Sequence, residues 1–127
     1  MKLASGIDLL TETEGAGRFA AKGDRIIFNT RMFLSKGEKV PLNEELAKRV
    51  PEGMIRRLEH DVFIDHRIVL GKREAIAGVE HSLLGMKEGG YRKVRVSPHL
   101  AYRDKGIPDL IPANAVLVIE LWLRQIL

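Results

Sequence analysis

Short strand-like stretches set off by turn signals fill most of this chain, with one longer apolar stripe of helical period among them. Ile7 to Thr13 reads as a short strand running into the turn signal Glu14-Gly15-Ala16-Gly17. After a second turn at Lys22-Gly23-Asp24, the Ile-, Phe- and Thr-rich stretch Arg25 to Leu34 predicts another strand, closed by Ser35-Lys36-Gly37. Leu42 to His60 behaves differently. Helix formers follow Asn43, which is placed as an N-cap with acids in the first turn. Val50-Pro51 interrupts them, and Glu52 to Glu59 reads as a further turn or two of helix with Met54, Ile55 and Leu58 on one side. Val62 to Leu70 is β-like. Arg73 to Met86 carries Ala75, Ile76, Val79, Leu83 and Met86 on one broad apolar stripe, which predicts a helix ending at Glu88-Gly89-Gly90. Tyr91 to Ser97 alternates as a half-buried strand. Ala115 to Leu127 is the last, with Ile119, Leu121 and Leu123 on one face and Val118, Glu120 and Trp122 on the other.

Strands outnumber the one strong helix, so the expected class is α+β, a helix against an antiparallel sheet. The 127 residues fit one domain, and 45% hydrophobic content is enough to bury a core without staples. With no cysteine, disulfides, thiolate zinc sites and cysteine nucleophiles are excluded. The start Met1-Lys2-Leu3-Ala4-Ser5-Gly6 has no continuous apolar run of the secretory kind, and no stretch approaches the roughly 20 apolar residues of a membrane span. A cytoplasmic location without membrane attachment is the expectation. The net charge of +4 favours acidic partners at long range. Basic stretches such as Arg56-Arg57 and Arg92-Lys93 lack interleaved aromatics, so nucleic acid is not an expected partner.

Four stretches, in order, resemble the FKBP-type peptidyl-prolyl isomerase family. They are Gly15-Ala16-Gly17 with Ala21-Lys22-Gly23-Asp24; Leu70 to Glu80 continuing through Leu84-Gly85-Met86-Lys87-Glu88-Gly89; Arg92 to Pro98 with Ala101-Tyr102; and Gly106-Ile107-Pro108 with Leu110 to Ala115 and the strand after it. The similarity spans nearly the whole chain except Pro41 to about Asp65. It implies a twisted antiparallel sheet wrapped around one short helix, a single domain over 1–127 with an atypical, partly helical insert at about 42–62. It also implies catalysis of rotation about X-Pro bonds in proline-containing peptides or unfolded segments, with no cofactor and no metal. The task is to lower a barrier of about 18–20 kcal/mol set by amide resonance, and aimed hydrogen bonds in an apolar pocket suffice for it.

The same resemblance assigns pocket positions. Tyr102 matches the tyrosine whose hydroxyl bonds the ligand, and is the catalytic candidate. Ile76 matches the helix-start residue whose backbone N–H does the same, with Ala75 beside it. Ile107, Ile111 and Ile119 match apolar pocket positions. Three places depart from the pattern: Val79 stands where a tryptophan is common, Thr30 replaces a tyrosine, and Val40-Pro41 replaces Phe-Asp. Phe63 or Asp65 could refill the lost wall and carboxylate. A pocket trimmed of aromatics makes fewer contacts with a proline ring. Two readings follow: an isomerase of reduced activity, and a binding or chaperone module that retains the fold.

Simpler readings stand beside these. Tyr102 alone would be a half-buried tyrosine; Ala101 and Ile111-Pro112 around it favour the pocket role. His60, His66, His81 and His99 share no metal-ligand spacing, and Glu80-His81 is no HExxH motif. Gly15-Ala16-Gly17 lacks the further glycine of a dinucleotide loop, and no Ser-His-Asp arrangement emerges. Trp122 points away from the core face, so either the insert covers it or it offers a partner surface.

Overall fold

The computed structural model describes residues 1–127. Its main sheet is antiparallel and runs in the order β1 (Lys2–Ala4), β2 (Ile7–Thr13), β10 (Tyr91–Val96), β11 (Leu117–Ile126), β4 (Arg25–Leu34), β5 (Lys39–Val40). A further strand, β8 (His66–Val69), also pairs with β4. Two ribbons stand apart from this sheet: β3 (Ala16–Phe19) with β9 (Lys87–Glu88), and β6 (Ile55–Leu58) with β7 (Asp61–Ile64). The helices are α1 (Leu42–Ala47) and α2 (Ala77–Leu83).

Alternation along β4 and β11 divides the sheet into two faces. Leu123 lies opposite Phe28, Leu121 opposite Thr30 and Ile119 opposite Met32, all toward α2. Ile119, Leu121 and Leu123 retain 0% exposure, and Val79 and Leu83 of α2 pack against the same interior. Each such side chain contributes about 1.5–3 kcal/mol by leaving water. The α2 helix lies very close to β10: a Cβ on Gly78 would stand 2.4 Å from Val96 Cγ1 and 3.0 Å from the Leu100 carbonyl oxygen. Only glycine permits that approach.

The far edge of β4 is completed in three sections. β5 covers Met32 and Phe33, and β8 covers Arg25 to Phe28. Between them the Asn43 side-chain amide donates to the Thr30 carbonyl oxygen at 2.8 Å. Asn43 is therefore not the N-cap expected from its sequence; Pro41 holds that position, and Asn43 is buried within α1, binding the helix to the strand.

Several other expectations change. The helix expected over 73–86 occupies only Ala77–Leu83. Arg73 adopts φ +57, and the Glu80 carboxylate accepts the Gly71 and Ala75 N–H groups, which holds 71–75 as a loop. The helix expected over Glu52 to Glu59 is a 3-10 turn, Glu52–Met54, followed by β6. The β-like run from Val62 to Leu70 breaks at Asp65 into β7 and β8, which serve different sheets. Ala16 and Gly17, expected in a turn, begin β3.

The β6–β7 hairpin lies on the sheet face opposite α2. Phe63 meets Trp122 edge-on with centroids 5.3 Å apart, and Tyr91 flanks the same indole at 5.2 Å. The Arg31 guanidinium sits 5.5–5.8 Å from the ring centres of Trp122, Phe33 and Phe63 while binding Glu120 and Asp61. Asp65 accepts from Asn29 at 2.7 Å and from Arg56 at 3.0 Å. Phe63 and Asp65 therefore do not refill a pocket on the helix side; they hold the insert against the back of the sheet. Trp122 is half-buried, with Phe63 and Tyr91 packed against it.

Candidate functional site

The residues expected to form a pocket separate into a closed floor and an accessible rim. Val79 (2% exposed), Val40 (3%), Ile111 (4%) and Ile119 (0%) are parts of one continuous core, and Thr30 is buried on the same face of β4. They come together, but as packed interior. Ala75, Ile76, Tyr102 and Ile107 pack against that interior from outside and remain half-exposed.

Ile76 is the N-cap of α2, with φ −59 and ψ 149. Its carbonyl accepts from Val79 and Glu80, whereas its own N–H has no acceptor in the protein. The first N–H groups of any helix lack intrahelical partners, and here Glu80 takes the neighbouring Ala75 N–H at 3.1 Å but leaves Ile76 free. Ala75 thus contributes a methyl group, and Ile76 contributes the donor.

Tyr102 follows a 3-10 turn, Pro98–Leu100. The segment after it folds back tightly. Gly106 N–H donates to the Tyr102 carbonyl at 2.9 Å, and Ile107 and Ile111 exchange hydrogen bonds at 2.9 and 2.8 Å. A Cβ on Gly106, at φ +60, would lie 2.2 Å from the Ile111 carbonyl oxygen, so glycine is required at this turn. This loop sets Ile111 into the floor and Ile107 on the rim. The Tyr102 hydroxyl makes no hydrogen bond within the protein and keeps contact with solvent. Burial of its ring pushes the phenol up from its ordinary ionisation range, so it stays a donor at neutral pH. No group of three or more His, Asp or Glu side chains is gathered to hold a metal ion.

Two surface depressions adjoin the rim. Leu42 and Leu46 of α1 face Ile107 and Leu110 across a groove of about 320 Å³, with Glu45 and Arg49 also lining it. The other depression includes Ala75 and is described below.

Sequence reasoning missed two residues that position α2. Arg92, read only as part of a basic stretch, points to the helix side of the sheet. Its Nη1 donates to the Ser82 and Leu84 carbonyl oxygens at 2.9 and 3.0 Å, and its Nε to Glu12 at 2.7 Å. A cation there satisfies carbonyls that the helix end leaves unpaired. Glu80 fixes the loop at the other end. A carboxylate in the first helical turn is the signal that could have found it; for Arg92 the signal is its place in the strand alternation, on the side of Val94 and Val96.

A short helix packed on an antiparallel sheet, with a tyrosine hydroxyl and a helix-start amide unpaired beside an apolar core, is the arrangement this chain presents, and comparison with known proteins gives its family. The profile of the family described as FKBP-type peptidyl-prolyl cis-trans isomerase matches residues 17–124. FK506-binding protein 4 of Chaetomium thermophilum is 30% identical over 126 residues, covering 99% of this chain and 22% of that protein. FK506-binding protein 1A of Neurospora crassa is 28% identical over 116 residues, covering 91% of this chain and 83% of the relative. An FK506-binding protein of Neisseria meningitidis serogroup A is 30% identical over 113 residues, 89% of each chain. The chain belongs to the FKBP-type peptidyl-prolyl cis-trans isomerase family. It spans about a fifth of the Chaetomium relative but most of the other two. No helix is long and apolar enough to cross a membrane.

Proposed function

We propose that the protein catalyses cis/trans rotation about X-Pro bonds in proline-containing peptides or unfolded protein segments. The observation that carries this reading is the pair of unpaired donors, the Ile76 N–H and the Tyr102 hydroxyl, at the rim of an apolar floor. A planar amide has charge separation that water stabilises, and the twisted amide has lost much of it. An apolar surface therefore disfavours the planar form relative to the twisted one, while two fixed donors hold the substrate chain in the rotated geometry. The closed floor at Val79, Ile111 and Ile119 gives a proline ring little depth, which supports a low rate.

An isomerisation assay on a Leu-Pro tetrapeptide, or on a protein whose refolding waits on proline, tests this. Catalysis should be measurable, and Tyr102→Phe should lower it about two- to tenfold, the worth of one hydrogen bond. A rate equal to the uncatalysed one at high protein concentration removes the catalytic reading. One observation favours a second reading, a binding or chaperone module: Phe63 and Asp65 lie behind the sheet, so neither replaces the aromatics absent at Thr30, Val40 and Val79 or the acid absent at Pro41. Peptide binding without rate enhancement is its signature.

A further inference from the structure

The larger depression beside the rim encloses about 600 Å³, and its charge is one-sided. Lys22, Arg73, His81 and Arg103 line it, and none of them takes part in any of the protein's ion pairs. The one carboxylate in the lining, Glu80, is buried and directs both oxygens to backbone N–H groups, at 2.8 and 3.1 Å.

The two arginines stand on fixed backbone. Arg73 and Arg103 adopt φ +57 and +54, which side chains other than glycine rarely take. The loop carrying Arg73 is held by Glu80, and Arg103 is held by its N–H to the Pro98 carbonyl at 2.9 Å and its carbonyl from Asn114 at 2.7 Å. Strained backbone held in place by its surroundings is characteristic of ligand clamps. The location matches: Ala75, in the lining, precedes Ile76, and Arg103 follows Tyr102.

We propose that this cavity binds aspartate or glutamate side chains next to the proline of the substrate, so that the protein prefers acidic X-Pro segments. An extended chain advances about 3.3–3.6 Å per residue. Neighbours one to three residues from a proline held by Ile76 and Tyr102 therefore come within reach of Lys22, Arg73 and Arg103. The lining contains no Phe, Tyr or Trp and only one imidazole, His81, so it offers a nucleic acid charge without the row of stacking rings that single strands use. An acidic peptide fits it better.

This inference rests on the isomerase reading for its rate consequence, and a binding measurement separates the two. Matched peptides with Glu or Gln flanking one Leu-Pro would be compared by exchange NMR for rate and by amide shifts for binding. The Glu peptide should bind about five- to tenfold tighter at low salt, as two or three exposed ion pairs would give. It should shift the Lys22, Gly71, Arg73, Ala75, His81 and Arg103 amides, and the preference should shrink toward unity in about 0.5 M salt. Replacing Lys22, Arg73 and Arg103 together by Gln should bring the Glu/Gln ratio to about one; the salt series on the unaltered chain makes the same test without depending on how that variant folds. Equal binding of the two peptides at low salt overturns the inference even if both are isomerised. Preferential binding without any rate enhancement upholds it while removing the catalytic reading. Displacement of the Glu peptide by a short single-stranded oligonucleotide at lower concentration would assign the cavity to nucleic acid instead.

Discussion

A phenol pressed against an apolar interior loses the water that would solvate its anion, and this pushes the Tyr102 ionisation upward from a value already near 10. The hydroxyl consequently keeps its proton across the whole range in which the protein can be assayed, and the Ile76 amide has no titration at all. The isomerisation rate should be flat between about pH 6 and pH 9. A rate that falls with a midpoint inside that window would mean that another group supplies the essential hydrogen bond. The places of Tyr102 and Ile76 beside the core follow from the runs of neighbours that each sits in. The role of Arg92 was not legible. Strand alternation puts it on the helix side, but an arginine on the inner face of a sheet reads as surface until the Ser82 and Leu84 carbonyls that receive it are seen. Asn43 was misread for a related reason: its side chain answers an unpaired carbonyl on β4, a partner thirteen positions away in the chain.

Elements were legible where the pattern is long and local. β2 and β4 fall within the stretches expected of them, because their apolar and β-branched residues run over seven and ten positions between clear turn signals. The apolar stripe found α2 but not its ends, since periodicity records which side chains face inward and is blind to the backbone turn at Arg73. In the β6–β7 hairpin, β7 falls in a stretch expected to be β-like, but β6 was misread as helix. Met54, Ile55 and Leu58 fit helical spacing over one short window, and the competing strand partner, Val62 to Ile64, lies across a turn. The close seating of α2 on β10 gives a prediction at this scale. Gly78→Ala places a methyl group 2.4 Å from Val96 Cγ1, nearer than atoms can approach, so the helix must move outward. Overpacking of this kind costs about 1–3 kcal/mol despite the better helix propensity of alanine. Denaturant unfolding should show that loss, and an unchanged or raised midpoint would mean that α2 is not held at the distance described.

The whole molecule carries two hydrophobic assemblies of unequal size, one on each side of the sheet. The helix-side core joins both halves of the chain through β4, β10 and β11. On the other side, the β6–β7 hairpin is attached by Phe63 on Trp122 and by two carboxylates. Burial pushes the Asp65 carboxyl up, but hydrogen bonds from Arg56 and Asn29 outweigh it and hold its ionisation below the ordinary range. The Lys39 hydrogen bond does the same for Asp61 against a smaller opposing effect of burial. Groups whose folded pKa is depressed stabilise the native state above their unfolded value, near 3.9 for aspartate, and lose that contribution as pH falls through the folded value. Acid should therefore release the hairpin before it unfolds the sheet. Hydrogen-exchange protection factors measured at about pH 5 and about pH 3 should fall selectively for the β6 and β7 amides, while those of β4, β10 and β11 persist, the behaviour of a separate cooperative unit. Simultaneous loss in all five strands would show instead that the insert is an integral part of the single cooperative core. In that case its effect on the rim would have to be sought through α1, which joins the back of the sheet to the groove at Ile107.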